Sequence, residues 1–144
     1  MLFKNILVPY DSSSHSEHAF KVALDMAQKY NSKITVVSVL SSTYTGHWYG
    51  SSDLTQLVFR EARKGVRRDF KRFESTARNV NVSFAHKILE GVSISKTLIT
   101  FAKSKKFDLI VMGAHGRGIW DKLILGSITD SVAHRVRCPV LIVR

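Results

Sequence analysis

The feature that most constrains the fold of this chain is a regular alternation of short apolar runs with longer amphipathic segments. Three of the runs contain continuous apolar stretches, ILV, LIVM and VLIV, which are typical of strands covered by helices on both faces. The runs occupy residues 4–10, 33–40, 82–89, 107–112 and 139–143. They predict the strands of a parallel β-sheet.

The segments between the runs have the periodicity of helices. In the first segment, apolar residues recur at the spacing i, i+3, i+4 and i+7, at Phe20, Ala23, Leu24 and Ala27. Helices are predicted over residues 14–30, 54–78, 93–105 and 127–136. Because right-handed crossovers connect parallel strands, we expect a single-domain α/β fold over residues 1–144. Its centre is predicted to be a doubly wound five-stranded parallel sheet with helices on both faces.

Composition places the chain among cytoplasmic globular proteins. Its 144 residues and 44% apolar content suit one folded domain. No run approaches the ~20 apolar residues of a transmembrane segment, and no signal peptide is expected. The single cysteine, Cys138, is expected to enter the core as a small apolar residue, so no disulfide is needed. The net charge of +11 predicts attraction to phosphates, nucleic acid or anionic membrane surfaces.

A glycine-rich segment follows the fourth predicted strand. It reads GAHGRGIWDKLILGS over residues 113–127, so GxxG is followed by nine residues and then GS. Gly113 and Gly116 can adopt backbone angles denied to other residues, and the free N–H groups of the following helix favour an anion. Ser127 has two competing roles. Its hydroxyl either binds that anion or caps the helix, with Asp130 completing a capping box. Taken alone, such glycines are more often ordinary turns.

The full spacing resembles the phosphate-binding pattern of the universal stress protein family. The opening ILVPYDSS, residues 6–13, and the ending CPVLIVR, residues 138–144, resemble the first and last strands of that family. The resemblance covers essentially the whole chain. It implies the strand order 3-2-1-4-5, with a ligand site where the ends of strands one and four meet. It also implies an ATP-binding regulatory or stress-response protein, at most a weak ATPase, with the presence of Mg²⁺ left open.

The resemblance further implies a set of nucleotide contacts at the ends of the strands. Asp11 matches a carboxylate near the ribose and adenine, and Val39 matches an adenine contact. His115 has two open roles, as an exposed loop residue or as a phosphate contact. The complete implied nucleotide-binding set is Pro9, Asp11, Val39, Met112, Gly113, His115, Gly116, Arg117, Gly126, Ser127 and Ile128.

Two positions near the first strand depart from the family pattern. Ser12 stands where the family usually has glycine, and Tyr10 stands where it has a small aliphatic residue. Neither position belongs to the glycine pattern. Tyr10 is expected to narrow the end of the site that receives the adenine.

Other site chemistries fit these residues less well. Ser12, Ser13 or Ser14 with His15 or His18 resembles a nucleophile with a base, but there is no GxSxG elbow and such serines are normally helix caps. Two histidines without a third ligand make a weak metal site. The segment VPYDSSS lacks the glycines of an ATP pyrophosphatase loop, and no acidic cluster of the receiver type is present.

The second predicted helix carries a stripe of positive charge, which we call the cationic face. It consists of Arg60, Arg63, Lys64, Arg67, Arg68, Lys71 and Arg72. The opposite, apolar face is predicted to consist of Phe59, Ala62, Val66, Phe70, Phe73 and Ala77. The cationic face is either an ordinary solvated surface or the binding surface of a nucleic-acid or polyanion module in which nucleotide is secondary.

The last predicted strand lies at an edge of the implied sheet. Members of the resembled family commonly pair through this strand, and an apolar edge would otherwise invite aggregation. We therefore expect a homodimer formed through residues 139–143.

Overall fold

A five-stranded parallel sheet forms the centre of the protein in a computed structural model that describes residues 2–41, 52–116 and 125–144. The strands are β1 (Asn5–Pro9), β2 (Lys33–Ser41), β3 (Ser83–Gly91), β4 (Leu109–Gly113) and β5 (Val140–Val143). The helices of the described ranges are α1 (Ser14–Tyr30), α2 (Ser52–Asn79), α3 (Ile94–Ser104) and α4 (Ser127–Arg135). The strand order is β3-β2-β1-β4-β5, which confirms the predicted fold class and topology.

Helices cover both faces of the sheet, as the continuous apolar strands predicted. Ile6 of β1 packs in one cluster with Phe20 of α1 and Phe70 of α2. Its neighbour Leu7 packs in a second cluster with Leu98 of α3. Because successive residues of a strand point to opposite faces, β1 is buried on both sides. Among the helices described, none is long and apolar enough to cross a membrane.

The serines after β1 begin the first helix. Ser13 is the N-cap of α1, and its hydroxyl oxygen accepts a hydrogen bond from the backbone N–H of Ser16 at 3.1 Å. Asn31 ends the same helix in the left-handed conformation, with φ of 51°. The interpretation of these serines as caps is therefore confirmed for Ser13.

Helix α2 is longer than the strands it covers. Its 28 residues span about 42 Å, whereas the nine residues of β2 span about 30 Å. Val66 is buried in the core, but Phe59 is only half-buried and Ala62 is exposed, so the predicted apolar face is wrong for those two residues. Because α2 runs back antiparallel to β2, its first half projects beyond the carboxyl edge of the sheet.

Gly65 lies in the middle of α2 with open space beside it. A methyl group at this position would meet only the Arg68 Nη2 atom, at 4.0 Å. Since glycine in a helix interior is less favourable than alanine, Gly65→Ala should raise the free energy of unfolding by about 0.5–1 kcal/mol. Urea unfolding at neutral pH measures this change. An unchanged or reduced stability would show that this part of α2 is not a well-formed helix.

Candidate functional site

The carboxyl ends of β1 and β4 lie side by side where the strand order reverses. This is the position at which doubly wound sheets bind ligands. A cavity of about 970 Å³, which we call the cleft, opens here. Residues of the implied nucleotide-binding set that line it are Pro9, Asp11, Val39, Met112, Gly113, His115, Gly116, Gly126, Ser127 and Ile128. The remaining member, Arg117, lies outside the described residues.

The chain turns sharply after β1 and directs Asp11 across the cleft. Asp11 Oδ1 accepts a hydrogen bond from the backbone N–H of Ser13 at 3.0 Å, which forms a local turn. Ser12 between them has φ of 67°, a left-handed angle that glycine adopts most easily. Ser12 therefore adopts a backbone conformation that suits the glycine implied at this position by the sequence resemblance. A methyl group placed on Gly116 would lie 2.7 Å from Asp11 Oδ2, so the carboxylate lies directly against the β4 loop.

The two glycines after β4 lie where neighbouring atoms leave no room for a side chain. Neither Gly113 nor Gly116 has a left-handed φ, so the expectation of unusual backbone angles is wrong. A methyl group on Gly113 would lie 2.8 Å from the Cβ atom of His15 and 2.9 Å from its carbonyl carbon. Gly113 thus allows the first turn of α1 to pack directly on β4.

The N-terminus of α4 opens onto the cleft. Gly126 is its N-cap, and the backbone N–H of Gly126 donates to the carbonyl of Ala114 at 2.8 Å. The first amide bonded within the helix is that of Asp130, which donates to the Gly126 carbonyl at 2.9 Å. In the described part of the chain, the amides of residues 127–129 have no backbone partner. They leave a positively polarised helix end beside Asp11 and the glycines.

Ser127 is therefore the first residue of α4 and does not cap it. The capping arrangement with Asp130 that the sequence left open is wrong, because Gly126 occupies the cap position without a side-chain bond. The Ser127 side chain is exposed at the cleft. Thr129, two residues on, donates its hydroxyl to the carbonyl of Gly113 at 2.8 Å. This buried bond fixes the helix end relative to β4.

His115 is buried at the cleft, so its interpretation as an exposed loop residue is wrong. Only 7% of it is exposed, and its ring lies edge-on to the ring of His15, with 5.3 Å between centroids. His18 instead lies with Nδ1 2.9 Å from the carbonyl oxygen of Arg144. Across the described ranges, no group of three His, Cys, Asp or Glu side chains could hold a metal ion. The two histidines of the first helix thus have different partners.

One wall of the cleft was not predicted from the sequence. It is formed by Val58, Phe59, Glu61, Ala62, Gly65, Val66, Arg68 and Asp69 of α2. The sequence assigned most of these residues to the packing face or to the cationic face. The available signal was length, because a helix of about 25 residues following a strand of about eight must project beyond the sheet.

Tyr10 anchors this wall to the end of β1. Its ring packs edge-on against Phe73, with 4.9 Å between centroids, and only 4% of the residue is exposed. The phenol donates a hydrogen bond to Asp69 Oδ2 at 2.8 Å. Arg72 then links Asp69, at 3.6 Å, to Glu17 of α1, at 2.8 Å. The Tyr10 ring is thus held in the core, where it positions α2 beside the cleft.

Burial, together with the bond to Asp69, raises the pKa of Tyr10 to about 12. Between the ordinary value of 10.0 and about 12, the unfolded chain loses the phenol proton while the folded protein keeps it. Stability should therefore fall as the pH rises through this window, by about 3 kcal/mol in total. Urea unfolding between pH 9 and 12 should show less of this loss in Tyr10→Phe than in the wild type. The exposed residue Tyr30 supplies the control, since Tyr30→Phe should behave as the wild type; equal losses in all three proteins would contradict the assignment.

The cationic face is partly neutralised by acids from other elements. Arg63 pairs with Glu90 of β3, and Arg72 pairs with Glu17 of α1, two partners that the sequence did not indicate. Lys64 pairs with Glu61 within the helix at 3.3 Å. The cations that form no ion pair or hydrogen bond with any described residue are Arg60, Arg67, Arg68 and Lys71. These four exposed side chains carry the uncompensated charge of the face.

Comparison with known proteins now identifies the family. The model of the universal stress protein family matches residues 2–144. The chain belongs to the universal stress protein family. One relative, universal stress protein MJ0531 of Methanocaldococcus jannaschii, is 31% identical, and the alignment covers 99% of this chain and 83% of the relative. The solved structure of UspA from Lactobacillus plantarum is 26% identical, with a TM-score of 0.80, covering 100% of this chain and 99% of that one.

Two more distant universal stress proteins were solved with adenine nucleotides. One was solved in complex with cAMP; its TM-score is 0.73 at 20% identity, covering 100% of this chain and 98% of that one. The other, from Archaeoglobus fulgidus, was solved in complex with dAMP; its TM-score is 0.69 at 18% identity, covering 100% of both chains. At these identities the likeness shows the shared fold.

Proposed function

We propose that this universal stress protein binds ATP or a related adenine nucleotide in the cleft and acts as a nucleotide-dependent regulatory protein of the cytoplasm. The observation that carries the proposal is the helix end at residues 127–129, whose amides have no backbone partner among the described residues and open onto the cleft beside Gly116. Such amides and the helix dipole favour phosphate. Two universal stress proteins of the same fold were solved with cAMP and dAMP, which supports an adenine nucleotide as the ligand.

The proposed nucleotide lies across the switch point of the sheet. Its triphosphate is placed over Gly116 and the first turn of α4, where Ser127 adds a hydroxyl. The adenine is placed on the β2 side, beside Val39, since that strand lies on the opposite side of β1 from β4. Asp11, whose carboxylate lies against the β4 loop, is placed to accept hydrogen bonds from the ribose hydroxyls.

We propose that ATP is held with slow or no hydrolysis. The helix end offers amide donors that bind phosphate, and interactions that are equally strong in the bound and reacting states raise affinity without raising the rate. In the described ranges no cluster of acidic or histidine ligands could hold a metal ion. If Mg²⁺ accompanies the nucleotide, it is therefore bound mainly through the phosphates and water.

The identity of the bound nucleotide tests this function. Native mass spectrometry of protein purified without added nucleotide should reveal an adenine nucleotide bound at one per chain. Protein stripped of ligand by unfolding and refolding should regain the same mass shift on addition of ATP and a smaller one on addition of GTP. Refolded protein that binds neither nucleotide would overturn the proposal.

We also propose that two copies pair through β5. This strand lies at an edge of the sheet, and Leu141 in it is 37% exposed. An apolar edge strand is a template for pairing with a second chain. Leu141→Lys should leave the fold intact, because the side chain is exposed, and should convert a dimer to a monomer by light scattering at tens of micromolar. A monomeric wild type at that concentration would contradict the pairing.

A second candidate function is the binding of a polyanion by the cationic face. The observation that favours it is that Arg60, Arg67, Arg68 and Lys71 are exposed and form no ion pair with any residue the structure describes. Cations without acidic partners attract phosphate groups with an affinity that falls steeply with salt. The face is thus proposed as a binding surface rather than an ordinary solvated one.

A further inference from the structure

Arg68 belongs both to the cationic face and to the wall of the cleft. It lines the cavity, and its Nη2 atom would lie 4.0 Å from a methyl group on Gly65, so the side chain turns back along the helix over Gly65. Arg67, one residue before it, and Lys71, three residues after it, are exposed on the outer surface of the same helix. The α2 cations that pair with no described residue therefore lie both on the outer surface and, at Arg68, on the wall of the cleft.

Arg68 lies on the side of the cleft away from the proposed phosphate site. α2 covers β2 and β3, while α4 follows β4 and packs in the cluster on the other face of the sheet. A mononucleotide with its triphosphate at Ser127 would present base and sugar, and no negative charge, toward α2. An arginine at that end that pairs with no described residue fits a second phosphate on the ligand.

Phe59 gives the same wall an aromatic surface. It borders the cleft from the projecting half of α2 and is only half-buried, so its ring is not fully used in the core. Aromatic side chains beside a track of cations bind single-stranded nucleic acid, because bases stack on the rings while the cations follow the phosphates. From Arg60 to Lys71 the helix rises about 17 Å, which is long enough for several backbone phosphates.

We infer that the cleft and the cationic face form one site for a single-stranded oligonucleotide that ends in a 5′-phosphorylated adenosine. The inference rests on the proposed nucleotide function, since the terminal adenosine occupies the cleft with its 5′-phosphate at α4. The phosphate on its 3′ side meets Arg68, the following phosphates lie on Arg67 and Lys71, and Phe59 offers a stacking surface to a base. The same 3′-phosphate chemistry occurs in adenosine 3′,5′-bisphosphate, which lacks the rest of the strand.

The first test compares four probes on the wild-type protein by calorimetry at 150 mM salt. They are AMP, adenosine 3′,5′-bisphosphate, 5′-phosphorylated hexa-adenylate RNA and the same RNA without its 5′-phosphate. The phosphorylated RNA should bind at least about tenfold more tightly than AMP, given one stacked base and added phosphate contacts. The bisphosphate should fall between them, and saturating ATP should displace the RNA.

The second test uses matched charge changes on two helices. Arg67→Gln with Lys71→Gln should lower the slope of log affinity for the phosphorylated RNA against log salt by about 1.4, since two phosphate contacts are lost. Lys103→Gln with Lys105→Gln removes the same charge from the exposed end of α3 and should leave the slope unchanged. Arg68→Gln should lower the affinity for the bisphosphate by a larger factor than the affinity for AMP, so that the advantage of the bisphosphate is lost.

The outcomes separate this inference from the proposed function. If AMP and ATP bind but the phosphorylated RNA gains nothing over AMP, the nucleotide function stands and the oligonucleotide inference is overturned. If ATP does not displace the RNA, or if the RNA binds equally with and without its 5′-phosphate, the cationic face is a separate polyanion surface. Either result would also overturn the oligonucleotide inference. Loss of all nucleotide binding would refute the proposed function itself.

Discussion

Replacing Ser127 by aspartate should lower the affinity for ATP by at least about a hundredfold. The residue is the first of α4 and lies exposed at the cleft, beside the amides that are proposed to hold the triphosphate. A carboxylate there competes for those amides and repels the phosphates, and a few kcal/mol of repulsion at close range exceeds the ~2.7 kcal/mol that a hundredfold loss requires. Calorimetric titration with ATP measures the change.

The position offers closely matched controls. Ser127→Asn has the size of aspartate without its charge and should stay within about tenfold of the wild type, while Ser127→Ala removes one hydroxyl worth about 1 kcal/mol. Aspartate in the first turn of a helix is favourable to the helix dipole, so the free energy of unfolding should be unchanged or raised by about 0.3–1 kcal/mol. Equal ATP binding by the Asp and Asn variants would show that the triphosphate does not lie at this helix end.

Gly113→Ala should destabilise the fold by about 3 kcal/mol. The added methyl group would lie 2.8 Å from the Cβ atom of His15 and 2.9 Å from its carbonyl carbon, and backbone at the start of α1 cannot move without disturbing the packing on β4. Overpacking of this kind usually costs about 1–3 kcal/mol, and contact with backbone places the change at the upper end. Urea unfolding measures the loss.

Gly65→Ala is the matched control, because the same atoms are added where there is space. Gly65→Ala is predicted to raise the free energy of unfolding, whereas Gly113→Ala is predicted to lower it. Both variants replace glycine by alanine, so the entropy of glycine in the unfolded chain cannot explain a difference between them. A small effect of Gly113→Ala would mean that α1 packs less closely on β4 than described. The two results together test whether the glycines of the family pattern serve packing as well as ligand access.

The sheet was predictable because its strands are buried on both faces. Continuous apolar runs such as LIVM at the fourth strand report that burial directly, and the helices between them have a clear 3.6-residue period. Strand order was implied by family resemblance, since an alternation of strands and helices fits more than one order. The structure agrees with that order.

The residues gathered at the cleft were predictable for a similar reason. Parallel strands place their carboxyl ends at one edge, so Asp11 after β1 and Gly113 at the end of β4 must lie near each other once the order is known. The glycine pattern did not reveal the role of each residue at the cleft. The amide of Gly126 donates to the carbonyl of Ala114, and the amides that have no backbone partner in the described ranges are those of residues 127–129.

What the sequence missed depends on contacts between distant elements. Glu17 and Glu90 neutralise Arg72 and Arg63 from other parts of the fold, so the cationic face is weaker than the sequence of α2 alone suggests. His115 is buried against His15 of α1, a residue 100 positions earlier in the chain. Spacing along one element cannot report such neighbours.

The central claim, that one adenine nucleotide binds in the cleft, is tested most directly by calorimetric titration of the wild-type protein with ATP. The titration is done at 150 mM salt, because a net charge of +11 attracts ATP weakly to many surface sites at low salt. The account predicts a saturable transition at one ATP per chain that inorganic triphosphate, which lacks the nucleoside, does not reproduce at the same concentrations. No saturable binding at millimolar ATP, or equal binding of inorganic triphosphate, would contradict it.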